Sequence, residues 1–498
     1  MTFIRKKKIG NNYYYYLVKS IRTGKNSWKK YEKYIGKKLP EKKPSFDKSQ
    51  YDVIIVGAGP AGLFSAYELA NKGLKLLLID KGPAAGQRKG EIMTGIGGAG
   101  LYSDGKLNLT PVHGKTNLYE FLNEKQANEL ISYVDSIFIN FGAPRTAYTK
   151  NLKRVEELRK KARKNKITLL LAPQKHIGSD KLPLLIQKFS NCLRKQNINI
   201  LTNTEVKDVI VRNNKVRGVL AGNKAITSRY VIACPGRSGS SWFLEQARKL
   251  DIPLKHRGIE IGVRVEIRAK LMEHITKYLW DPAFFMKARH SHDIVRTFCT
   301  CPYGFVAEET YHGFIGVNGY SNINRKSANT NFALLSNIEL TEPAENTIAY
   351  GEDIGRLATT IAGGRPFIQS LEDLKRHRRS YWHRIDKTKI SPTLTNTTPG
   401  DLSMAIPHRI VINLLDAIRR LDKIIPGLYE NALLYGPELK FFSVRIESDK
   451  SLETRAKNLF IAGDGVGICG NIVGAAATGI LAARGVLDKI NKQKPVKS

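Results

Sequence analysis

A chain of 498 residues, 42% of them hydrophobic, is long enough for two or three domains that each bury a core, which excludes a disordered protein. Its 5 cysteines (Cys192, Cys234, Cys299, Cys301, Cys469) contain no C-x-x-C and no paired metal-ligand spacing, which argues against a disulfide scaffold, a zinc ribbon and an iron–sulfur protein and suits a reducing, cytoplasmic compartment. The formal charge of +37 invites polyanion binding, yet lysines are scattered through nearly every segment; only residues 1–50, with 15 Lys and Arg against 3 Asp and Glu, stand out locally.

Residues 1–48 form a basic module and linker. Three strand-like runs are punctuated by Gly10-Asn11-Asn12 and Thr23-Gly24-Lys25-Asn26, a pattern that predicts a three-stranded antiparallel meander. Aromatics among lysines suit stacking on nucleic-acid bases with phosphate contacts. They equally suit the packing of a tiny sheet, and that plainer reading comes first. No apolar h-region follows the basic start, so no signal peptide is expected.

Residues 49–113 open with "YDVIIVGAGPAGLFSAYELANKGLKLLLIDKG": apolar strand, glycine turn, helix with small residues on one face, second apolar strand. This βαβ unit predicts dinucleotide binding. Gly57 serves the tight turn and Gly59 the close approach of backbone to a pyrophosphate. Pro60 and Ala61 open the helix, and Gly62 lets it pack on the strand. Asp80, with Lys81 beside it, ends the second strand where an acid accepts hydrogen bonds from an adenosine ribose. A second G-x-G-x-x-G match, Gly95, Gly97 and Gly100 in "GIGGAGLYSDGKL", has no strand before it and no amphipathic helix after it, so it does not predict a second nucleotide site.

Residues 114–159 read as a helical insertion. Residues 160–248 follow with alternating strands, a hairpin at Asn213-Asn214 and a buried strand running into Cys234-Pro235-Gly236. Residues 249–435 predict an α+β substrate domain, a mixed sheet with flanking helices. Within it Arg264 and Glu266 alternate with Val263 and Val265 as on a half-buried strand, and the C-x-C pair Cys299 and Cys301 points to a buried structural role. Residues 436–498 return to the nucleotide-binding domain. Their apolar run is broken by Asp464 and rich in Gly and Ala, so it predicts strand, turn and helix and no membrane span.

"TRAKNLFIAGDG" resembles the second FAD motif of the glutathione-reductase-like flavoproteins, which implies that Gly463 and Asp464 meet the ribityl chain of FAD. In similar flavoproteins Glu-Val, here Glu205-Val206, lies by the adenine and Ala-Thr-Gly closes the last strand. The Ala-Cys-Pro-Gly of this chain keeps Pro235 and Gly236 on that path and drops the Thr. "GIGGAGLYSDGKL", "HIGSD", "GVRVE", "CPYGFV", "VNGYS" and "GDGVGICGNIVGAAATGI" together resemble an FAD-dependent dehydrogenase family of bacteria and archaea over roughly residues 50–490. Where bacterial members tend to show "VETRTSSPVRI", this chain has "GPELKFFSVRI", which keeps Glu438 and loses the neighbouring Arg and Thr.

The resemblance implies a Rossmann-like FAD-binding α/β domain assembled from discontinuous segments, and one FAD. The second glycine segment then runs past the flavin ring, with Gly97, Gly98, Gly100 and Gly105 letting backbone lie flat and Ser103, Asp104 and Lys106 reaching the ring edge. The helix opening at Asn471-Ile472 aims its N-terminal N–H groups at the ring. Lys106, His176 and Glu438 are the catalytic candidates, with His256 a further histidine. The expected activity is hydride transfer between FAD and a small or apolar organic substrate, with NAD(P)H visiting transiently as electron donor. An RNA-modifying flavoprotein and a non-enzymatic FAD-binding protein are the alternatives.

Overall fold

The computed structural model describes residues 2–10, 12–22, 28–36, 50–88, 94–102, 105–113, 115–148, 151–178, 181–255, 258–311, 313–322, 325–340, 346–441 and 444–493. The chain divides into two compact units, Met1–Lys48 and Ser49–Ser498.

In the first unit, strands Thr2–Ile9, Asn12–Arg22 and Trp28–Gly36 pair in order as an antiparallel meander. The Tyr16 and Tyr34 rings lie 5.4 Å apart across it, and Glu32 accepts from both Arg5 and Lys7. Ring packing therefore stabilises this small sheet.

The second unit is built on two sheets, each with its own core. The first has seven strands. Asn199–Leu201, Leu76–Ile79, Tyr51–Val56 and Lys224–Ala233 run parallel in that spatial order, and Leu459–Ile461 adds in parallel to the C-terminal half of Lys224–Ala233. The N-terminal part of that strand pairs instead with the antiparallel strand Lys215–Ala221, which continues to Val206–Arg212. The hairpin between these two turns on Asn213 and Asn214, both at positive φ (52° and 54°), the conformation of a two-residue primed turn. Parallel strands must be covered on both faces, and their sequences, VIIV and LLLI, are accordingly apolar throughout. The helices Pro60–Leu69 and Ile472–Lys492 pack against each other closely enough that a Cβ on Gly479 would lie 2.1 Å from the Ala61 carbonyl oxygen.

The second sheet has eight strands in the order Thr398–Pro399, Phe367–Ser370, Leu433–Lys440, Ile259–Arg268, Asn329–Ile338, Ile294–Cys301, Ala283–Lys287 and Thr168–Leu170, antiparallel except for the first pair. The helix His408–Leu421 buries Ile410, Val411, Leu414, Ala417 and Ile418 in its core. Sheet membership shifts the boundaries read from sequence. Leu433–Lys440 is a central strand here, so the chain leaves this sheet after 440 rather than at 435. The helix Glu124–Asn140 packs in the first core, whereas Leu152–Lys164 sends Val155 and Ala162 into the second, which divides the expected 114–159 insertion. Apolar periodicity marks a helix but not the core that receives it. Ile259–Arg268 is also buried on both faces, with Arg264 and Glu266 at 0% exposure, not half-buried as the alternation suggested. No helix among the described residues is long and apolar enough to cross a membrane.

Candidate functional site

Register brings the carboxyl ends of the five parallel strands level: Leu201 opposite Ile79, Ile79 opposite Val56, Val56 opposite Ala233, and Ala233 opposite Ile461. The residues that follow, Gly57, Asp80, Thr204–Val206, Cys234–Gly236 and Gly463-Asp464, therefore converge on one edge, where open α/β sheets bind ligands. A cavity of about 350 Å³ opens there. It also touches Gly98, Ala99, Gly100, Lys106, Asn108, His113, Asn471 and Ile472, and from the second sheet's domain Phe298, Cys299, Glu309, Asn318 and Lys440.

Of the residues singled out from sequence, Gly57, Gly59, Pro60, Ala61, Asp80, Lys81, Gly98, Gly100, Lys106, Val206, Pro235, Gly236, Gly463, Asp464, Asn471 and Ile472 line this cavity. Gly62, Gly97 and Gly105 lie outside its lining. A Cβ on Gly62 would sit 1.8 Å from the Gly57 carbonyl oxygen, the close helix-to-loop packing expected of it. Ser103, Asp104 and His256 lie outside the described residues.

Asp80 is more occupied than a free ribose acceptor would be. Its Oδ2 accepts from Ala58 N at 2.7 Å, and its Oδ1 accepts from Gly82 N and Gly95 N, each at 2.9 Å. A carboxylate offers about four acceptor positions, so about one remains. The carboxylate thus clasps the first glycine loop to the start of the second. Asn471 is likewise engaged: its Oδ1 caps the C-terminal helix by accepting from Gly474 N at 2.7 Å, and its Nδ2 donates to His113 O and Thr116 Oγ1.

Asp464 pairs with Arg237, whose Nε lies 2.7 Å from Oδ2, and this contact raises the guanidinium pKa further above its ordinary range. Lys106 is buried. Its Nζ donates to Thr300 O at 2.6 Å and lies 3.4 Å from Asp281 Oδ2 and 3.7 Å from Cys299 Sγ. Glu438 stays out of the cavity wall. It is fully buried against Arg264 at 3.2 Å and Lys440 at 3.2 Å, and Lys440 continues to Glu309 at 3.3 Å. Burial alone would lower the Lys440 pKa, but Glu309 and Glu438 beside it hold it above its ordinary value. His176 also lies off the cavity, stacked on Trp280 with ring centroids 4.7 Å apart.

The C-x-C segment departs from the expected regular strand. A register shift between Phe298 and Cys301, with Cys299 at φ 51°, breaks the alternation, so Cys301 is buried while Cys299 turns to the cavity. Sequence reasoning also missed Arg237, Asp281, Glu309, Asn318, Lys440 and His113. His113 has no motif around it. Burial, aided by Arg296 and Lys106 and opposed by Asp281, pushes its pKa down to about 4.

The donor set suits a flavin nucleotide. A Cβ on Gly236 would meet nothing within 4 Å, and one on Gly59 would approach only Gly98 Cα at 3.8 Å, so bare backbone borders the cavity at both positions. Residues 52–270 match the model of the FAD dependent oxidoreductase family, and residues 258–440 match that of the FAD-dependent protein, C-terminal domain-like. The chain is an FAD-dependent oxidoreductase. This oxidoreductase is 24% identical over 479 residues to an uncharacterized protein of Clostridium beijerinckii, covering 89% of this chain and 81% of that one. A stretch of 39 residues, 8% of this chain and 10% of the other, is 46% identical to a digeranylgeranylglycerophospholipid reductase of Methanosphaerula palustris. Among solved structures it is similar to glycine oxidase from Bacillus cereus, at 14% identity and a TM-score of 0.36 over 88% of this chain and 98% of that one. A quinol–fumarate reductase gives 14% identity and a TM-score of 0.40 over 90% of this chain and 73% of that one.

Proposed function

We propose that the cavity at the strand ends holds FAD and that the small-molecule substrate meets it on the side walled by Phe298, Cys299 and Asn318 of the second domain. The observation that carries this reading is the convergence of five strand ends and two helix N-termini on one cavity whose wall includes bare backbone at Gly59 and Gly236. The Gly57–Gly62 loop and the first turn of Pro60–Leu69 would take the pyrophosphate, whose charge the helix end favours. The remaining acceptor position of Asp80, with Lys81, Val206, Pro235 and Gly236, would hold the adenosine half. Asp464, with Arg237 beside it, would hold the ribityl side. Gly98, Ala99 and Gly100, together with Asn471 and Ile472, would border the ring.

FAD supplies hydride transfer when bound. The chain's own contribution is orientation and water exclusion. Lys106, fixed by Thr300 O and Asp281, brings a buried positive charge to the cavity. The N–H groups at the start of the C-terminal helix add a partial positive charge, which favours negative charge developing nearby. A single βαβ fingerprint supports NAD(P)H as a transient visitor to the open face rather than a resident. The absence of any disulfide among the described cysteines is compatible with the cytoplasm.

Purified protein should be yellow and release FAD on denaturation; colourless protein that fails to take up added FAD refutes the reading. Asp464→Ala should weaken FAD binding by about 1.5 to 3 kcal/mol, as expected for a hydrogen bond to a charged group. Unchanged affinity removes Asp464 from the site.

A further inference from the structure

Building on the flavin reading above, we infer that His113 presents a neutral Nδ1–H to FAD as a hydrogen-bond donor, with its tautomer fixed by a relay that begins at the backbone of Asp281. A backbone N–H can only donate, so the Gln174 atom 3.0 Å from Asp281 N is the acceptor Oε1. Nε2 of the same amide then donates to Asp281 O at 2.8 Å and to Asn108 Oδ1 at 3.0 Å. With Oδ1 accepting, the other end of Asn108 is its NH2 group, and this faces His113 Nε2 at 3.1 Å. Two donors cannot face each other across that distance, so Nε2 is the bare nitrogen and the proton sits on Nδ1.

That N–H has no partner among the described residues. His113 is 6% exposed, its Nδ1 is buried without a hydrogen bond, and the residue lines the cavity. A buried donor left unmatched in an otherwise complete network marks a place for a ligand acceptor. Charge does not compete with this role, since burial, with Arg296 and Lys106, outweighs Asp281 and keeps the ring neutral. The backbone also fixes where the donor stands. Asn471, which caps the C-terminal helix, donates to His113 O at 3.1 Å and to Thr116 Oγ1 at 2.9 Å. His113 is thereby clasped to the helix end that borders the ring in the flavin reading. A donor there matches a carbonyl oxygen of the ring and strengthens as that oxygen gains negative charge.

The test uses full-length protein labelled with 15N-histidine, without and with FAD, and long-range 1H–15N correlation to read each tautomer. The His113 resonances are assigned by their loss in His113→Gln. The expected result is a protonated Nδ1 and bare Nε2, with the Nδ1 proton moving downfield when FAD is added. His113→Phe, which has no donor, should lower FAD affinity by about tenfold, the size of one ordinary hydrogen bond. His113→Gln, which keeps an N–H, should retain most of it. An Nε2–H tautomer in the wild type, resonances unmoved by FAD, or equal FAD affinity in wild type, His113→Phe and His113→Gln would each overturn the proposal while the protein stays yellow. Wild type that takes up no FAD would instead remove the flavin reading itself. The wild-type spectra decide the tautomer even if His113→Phe does not fold.

Discussion

The two glycine loops share one spacing and differ in what their glycines are for. In the first, a Cβ on Gly57 would lie 2.0 Å from the Cys234 carbonyl oxygen, and Gly57 holds φ 98°. Its neighbours are backbone from the middle of a parallel sheet and cannot give way. The second loop leads into a short 3-10 turn, Gly98–Tyr102. Its Gly97 N–H donates to Ala58 O at 2.8 Å, and a Cβ on Gly98 would come within 2.9 Å of Gly59 Cα. The second loop is thus laid against the first, with Asp80 holding both. Identical spacing arises once from a strand-to-helix turn and once from two backbones in contact.

Breaking the first loop should have the largest effect. Gly57→Ala forces a side chain into fixed backbone at a positive φ, and we expect a loss of about 5 kcal/mol or more, read as failure to accumulate folded protein or as a collapse of the denaturant midpoint. Removing the clasp comes next. Asp80→Ala strands three N–H groups, one on each loop and one beside it, and should lower stability by about 4 kcal/mol in urea melts; a loss under about 1 kcal/mol would mean the loops do not depend on it.

Acid sensitivity separates the surroundings of the two loops, because His113 lies downstream of the second. Its pKa is about 4 in the folded chain against an ordinary 6.5, so the unfolded chain binds more protons between these values. The stability His113 contributes is complete above about pH 6.5 and is lost as pH falls towards about 4, a change of about 3 kcal/mol. Comparing melts at about pH 7 and about pH 4.5, His113→Phe should show a drop smaller by about 2.4 kcal/mol; an identical drop would place the acid sensitivity elsewhere. The smallest change is Gly98→Val, at about 2 kcal/mol, since one contact, to Gly59 Cα at 2.9 Å, is short and φ is 56°. Its sharper readout is the flavin spectrum. Altered or lost FAD absorbance supports ring contact, whereas an unaltered spectrum with collapsed NADPH affinity would restore a second nucleotide site.

The sequence by itself determined the FAD-binding half well, because the physics there is local. An apolar run long enough for one strand, a glycine turn and a helix of small residues reads as one βαβ unit, and the cavity opens at its strand ends. Gly57 and Gly59 were legible as cavity-lining positions for that reason, and Asp464 and Asn471 through the resemblance to FAD flavoproteins. Hairpin chemistry at Asn213-Asn214 was legible too, since φ above zero favours those residues. Long-range burial was not legible. Arg264 and Glu266 look like the polar face of a half-exposed strand until Leu433–Lys440 and Asn329–Ile338 flank that strand and place Glu438 against Arg264. The bulge that turns Cys299 to the cavity depends on a neighbouring strand whose register no local pattern announces. His113 is the clearest case. Its tautomer follows from Asp281, Gln174 and Asn108, residues far apart in the chain, and only the tertiary structure brings their donors and acceptors within hydrogen-bond distance, where each leaves the next a single choice.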